Sequence, residues 1–79
     1  MSKPQIHERA KYRIHVCGIV GESWVDYFSG MTIRVKDEPE QEPETILTGW
    51  LSDQAALLAM VNLLHDWGHS LIFVEYLSS

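Results

Sequence analysis

From Lys11 onward the chain alternates. Tyr12, Ile14 and Val16 fall on one side; Lys11, Arg13, His15 and Cys17 fall on the other. A period of two marks a half-buried strand, and Gly18 and Gly21 close it. "MTIRVK" repeats the pattern, setting Met31, Ile33 and Val35 against Thr32, Arg34 and Lys36. "TILTGWL" is a third strand. The acidic stretch "DEPEQEPE" joins it to the second as a hairpin, because its prolines break regular structure. Then the period changes. Ser52 or Asp53 offers an oxygen to the first free amides of a helix. Ala56, Leu57, Met60, Val61, Leu63, Leu64 and Trp67 recur on one wide face at helical spacing,. Gly68 stands where a left-handed residue closes a helix. "SLIFVEYL" is the last strand.

Between the first two strands, Trp24, Tyr27 and Phe28 are spaced i, i+3, i+4 behind Ser23, which predicts one or two helical turns. These rings either cover the core or line a ligand-stacking pocket of Trp24, Tyr27 and Phe28. The expected fold is α+β: a four-stranded sheet with one long helix packed on one face, in the order β, short helical turn, β, β, α, β. Residues 11–79 form a single domain behind a flexible lead-in, residues 1–10. If the third and fourth strands pair in parallel, their crossover is right-handed; strand order is left open by the pattern.

The last strand is apolar on both faces, with Ile72, Val74 and Tyr76 on one and Leu71, Phe73 and Leu77 on the other. Such strands are usually covered on both sides, yet one long helix covers only one. Either the Trp24–Phe28 segment or a second copy covers the remainder. A small core also gains from oligomerisation, so the expectation is a homodimer with Leu71, Phe73 and Leu77 at the interface.

Charge narrows the partners. Six basic against eleven acidic side chains leave −5 over 79 residues, which argues against nucleic acid and against anionic membranes. No apolar run approaches the roughly 20 residues of a membrane span, the N-terminus lacks the apolar core of a signal peptide, and the single Cys17 suits a reducing compartment,. The expected setting is soluble and cytoplasmic.

Four groups of residues resemble chemistry. His65 and His69 have metal-ligand spacing, but Gly68 falls between them, no glutamate stands at the second position of the motif and no third ligand has obvious spacing,, so they are expected to mark a helix end. His15 and Cys17 share a strand face, where an imidazole can activate a thiol; nothing in the sequence orients that histidine. Arg13, His15, Arg34 and Lys36 make a small basic patch whose expected use is pairing with Glu75 or Glu22. The acidic loop lacks the glycine of a calcium loop and reads as solvated. No catalytic set, cofactor site or metal site is expected.

The run Trp24, Tyr27, Phe28, Gly30, Met31, followed by "ILTGWLSDQAALLAMVNLLHDWGHSLIFVE", resembles a family of short bacterial proteins with no assigned function. The likeness covers about residues 12–76 and is most specific at "LTGWLSDQAAL", the strand–turn–helix junction. The chain departs from that family's pattern at Leu58 and Ala59, where the family often has His-Gly. The resemblance implies a small α+β domain that self-associates, and carries no reaction over. A weaker likeness links "DQAALLAMVNLLHDWGHSLIFVEYL" to the second helix and last strand of ACT-type ligand-sensing modules. The resulting expectation is a non-enzymatic, self-associating interaction module whose partner is another copy or another bacterial protein. The alternative is a small-molecule-sensing regulatory module.

Overall fold

A computed structural model describes residue 5, residues 7–21 and residues 30–79. The predicted helical turn and the Trp24, Tyr27 and Phe28 pocket lie outside the described residues. The elements are β1 (Ala10–Cys17), β2 (Thr32–Lys36), β3 (Glu44–Leu51), α1 (Gln54–Asp66) and β4 (Leu71–Ser78). They make the expected α+β domain. β1 starts at Ala10, which is fully buried opposite Leu51.

The strands form one antiparallel sheet in the order β2-β3-β1-β4. The acidic loop makes β2 and β3 a hairpin, as its prolines predict. β3 and β4 do not pair; β1 lies between them and opposes both. β3–α1–β4 is therefore a split β-α-β unit, whose two parallel strands are separated by an antiparallel one. The connection from β1 to β2 likewise steps over β3.

Period-two alternation assigns the residues of β1, β2 and β3 to faces, but Val35, expected on the core side with Ile33, is 44% exposed near the end of the edge strand β2 and does not join the core. Ile14, Val16 and Leu47 point toward the helix and are buried to 1% exposure or less. With Val20, Met60 and Leu64 they form the core, against which Met31, Ile33, Leu51, Leu57, Leu63, Trp67 and Val74 pack. Burying each large aliphatic side chain contributes about 1.5–3 kcal/mol. Val20 and Met31 belong to the two ends of the β1–β2 connection, and both pack on the helix side. Among the described residues, nothing covers the opposite face.

Local chemistry fixes the ends. Asp53 is the N-cap: its Oδ1 accepts from the Ala56 amide at 2.8 Å,. At the other end Gly68 takes φ +90°. The Gly68 amide donates to the His65 carbonyl and the His69 amide to the Leu64 carbonyl, both at 2.9 Å, the paired closure of a Schellman motif. Gly49 is required in β3 because a side chain there would strike the Met31 sulfur and come within 3.2 Å of Met31 Cα and the Gly30 carbonyl. That contact explains the glycine of "LTGWL" in packing terms.

Candidate functional site

The outer sheet face is built by cross-strand register. One row across the sheet reads Arg34, Ile46, His15, Phe73; the next reads Thr32, Thr48, Arg13, Glu75. On the sides of these rows stand Lys36, Glu44 and Cys17, and then Trp50 opposite Lys11. Trp50 is 41% exposed, and the Arg9 guanidinium sits 4.5 Å from its ring centroid.

His15 is the centre of this face. Its Nδ1 lies 2.7 Å from Glu44 Oε1 on β3 and its Nε2 lies 3.0 Å from Glu75 Oε2 on β4. The ring stacks on Phe73, with centroids 3.9 Å apart and planes at 18°. Although it faces outward, only 8% of it is exposed. An ionised carboxylate only accepts hydrogen bonds, so both contacts are donated together only by the doubly protonated ring. Arg13 Nη1 also reaches Glu75 Oε2 at 3.3 Å. The His15 hydrogen bond is the largest influence on the Glu75 carboxyl and holds it below its ordinary value of 4.5; desolvation opposes it, and the weaker hydrogen bond and charge of Arg13 add to the lowering,. Three strands are thus braced by one histidine between two carboxylates.

This arrangement reassigns the chemistry expected from the sequence. Both nitrogens of His15 are engaged by carboxylates, so His15 is not oriented to activate the half-buried Cys17. The basic patch does pair with Glu75, through Arg13 and His15; Glu22 lies outside the described residues. His69 turns away from His65: its Nδ1–H donates to the Cys17 carbonyl at 2.9 Å, tying the helix end to β1. The two histidines mark an end, as Gly68 suggests. Among the described residues, no group of three His, Cys, Asp or Glu side chains is placed to hold a metal ion, and no helix is long and apolar enough to cross a membrane.

Beside the brace lies a concavity of about 340 Å³, lined by Arg13, His15, Arg34, Lys36, Ile46 and Thr48. The alternation of β1 and β2 marked four of these residues as one patch. Ile46 and Thr48 were missed because the pattern does not show which strand lies between β1 and β2.

The expected interface residues lie at the β4 edge. Leu71 and Phe73 are 46% and 45% exposed, and Ile72 beside them 44%; Leu77 is half-buried. Register slips leave Ile72 and Leu77 without Cα partners on β1 and set Leu71 opposite the helix-side Val16 but Phe73 opposite the outward-facing His15, so the simple alternation that grouped Leu71, Phe73 and Leu77 on one face is interrupted by bulges.

No curated protein and no solved structure matches the chain. A family model described as "Domain of unknown function (DUF8691)" matches residues 11–75, the span from the start of the outward-facing β1 residues to the Glu75 brace, and the chain belongs to that family.

Proposed function

We propose that this domain is a non-enzymatic interaction module that self-associates at the β4 side of its sheet. The observation that carries this reading is the exposed apolar corner Leu71, Ile72 and Phe73 at the start of an eight-residue edge strand. The opposite edge, β2, has five residues and ends in Arg34 and Lys36, both exposed. Charged, short edges resist pairing and long apolar ones invite it. A second copy is the natural occupant, because a two-fold axis sets the same apolar patch against itself, and a 79-residue chain has little core of its own,. The engaged state of His15 supports binding over catalysis: the one buried histidine of the open face is committed to holding strands together.

Light scattering on wild type and two variants tests this reading. Wild type is expected near twice 9.1 kDa. Ile72→Lys is expected near the monomer mass. Leu58→Lys, altering the most exposed large hydrophobic residue of α1, is expected to leave the mass unchanged. A monomeric wild type at all concentrations refutes the proposal, as does a dimer lost only with Leu58→Lys.

One observation favours a second reading, that of a ligand-sensing module. Both the β1–β2 and β3–β4 connections step over an intervening antiparallel strand, the strand arrangement of split β-α-β folds, to which ACT-type modules belong. A thermal-shift screen against amino acids and nucleotides separates the readings; stabilisation by a ligand with no change of mass favours the second.

A further inference from the structure

We propose that the concavity on the open sheet face binds a small multiply charged anion, one carrying phosphate groups or several carboxylates. This deepens the ligand-binding reading above; it rests on the sheet face alone and does not depend on self-association at β4.

The argument begins with where the charges lie. The chain has six Lys and Arg side chains. Register and alternation place four of them, Lys11, Arg13, Arg34 and Lys36, on this face. Only two acidic residues occur in the strands, Glu44 and Glu75, and both lie here as well. Both are already bonded to His15, and Glu75 also takes Arg13. Neither carboxylate lines the concavity, although Glu44 stands opposite Lys36 in register. Among the described residues, Arg34 and Lys36 have no ion-pair partner. Two unpaired cations, separated by two positions on one strand, therefore flank a hollow whose wall holds a third, Arg13. Arg13 uses one of its five N–H donors on Glu75,.

The remaining lining suits a small ligand. Ile46, only 9% exposed, gives an apolar floor, and Thr48 provides a hydroxyl beside it. A few placed polar groups around an apolar surface are what small-molecule sites share, and 340 Å³ is at the low end of their volumes,. Guanidinium groups match phosphate and carboxylate geometry in two-point contacts. The strands hold Arg34, Arg13 and Thr48 on a rigid frame, which lowers the entropy lost on binding. A polynucleotide fits less well: the net charge of −5 repels it,. Phe73 is also committed to His15 and does not line the hollow.

The test is an amide NMR titration of the full chain with inorganic pyrophosphate and with citrate, at constant ionic strength, together with a short single-stranded RNA. Saturable shifts at residues 34, 36, 46 and 48 are expected with at least one small anion. Arg34→Gln combined with Lys36→Gln is expected to weaken that binding at least about tenfold, the equivalent of about 1.4 kcal/mol, while the urea midpoint stays unchanged because both residues are exposed. Response to pyrophosphate alone assigns phosphate chemistry; response to citrate alone assigns polycarboxylate chemistry. No saturable shift up to about 10 mM overturns the proposal, as do binding of RNA only and undiminished binding by the double variant. Absence of small-anion binding together with stabilisation by an amino acid in the thermal-shift screen overturns the anion site while leaving the ligand-sensing reading standing.

Discussion

The two faces of the sheet are made from the same four strands by opposite halves of one alternation. The helix-side face carries Ile14, Val16 and Leu47, closed over by Met60 and Leu64. The outer face carries most of the charged strand side chains, and two of them, Glu44 and Glu75, are bonded to the His15 ring while Arg13 is bonded to Glu75. One face is held by area removed from water, which is non-directional; the other by contacts that need particular atoms at particular distances. The covered face therefore dominates stability, and the proposed anion site lies on the open one.

The largest predicted break falls on the covered face. Leu64 is fully buried between helix and sheet, and Leu64→Ala is expected to cost about 3 kcal/mol or more in a urea melt. A loss under about 1 kcal/mol indicates that the helix does not close that core.

Thr45→Val comes next. The Thr45 hydroxyl is buried at the start of β3, donates to the Gly18 carbonyl at 2.6 Å and accepts from the Val20 amide at 3.0 Å. Valine keeps the shape and strands both backbone groups, at a cost of about 1–3 kcal/mol. The chain leaving β1 is held on the helix side by this residue, so its loss also tests what keeps the open face open.

A smaller effect, sharper in its pH dependence, is expected for His15→Gln. The folded-state pKa of Glu75 is depressed, chiefly by His15. Its contribution is therefore present above the unfolded value near 4.5 and lost as pH falls through the lower folded value,. Below about pH 5, wild-type stability should fall more steeply with acid than that of the variant, whose Glu75 has lost the main cause of its shift. Parallel acid limbs contradict the brace.

The smallest effect belongs to Arg34→Gln with Lys36→Gln. Exposed and unpaired among the described residues, these cations should change stability by no more than about 0.5 kcal/mol. A larger change would place them in the scaffold instead of a binding site.

Much of the covered face was legible in the sequence: period two in β1 and β2 and period 3.6 in the helix name Ile14, Val16, Ile33, Met60 and Leu64, while Val35 was placed there wrongly and the core residues Val20 and Leu47 were not assigned. Asp53 and Gly68 at the helix ends were legible too, because capping is local chemistry. The open face was legible only as a patch. Alternation put Arg13, His15, Arg34 and Lys36 together, but β3 lies between β1 and β2, and no local pattern reveals an intervening strand. The His15 brace depends on that order, because Glu44 and Glu75 lie 29 and 60 residues away in sequence. The bulges that isolate Ile72 and Leu77 arise from pairing with β1 and are equally invisible along the chain.

The most direct test of the proposed module is a dilution series of amide NMR spectra. Self-association at the apolar corner predicts concentration-dependent shifts concentrated at Leu71, Ile72 and Phe73, with the β2 residues Thr32–Lys36 unmoved. Spectra that do not change with concentration while the mass stays monomeric contradict that account, and so do changes confined to β2 or α1.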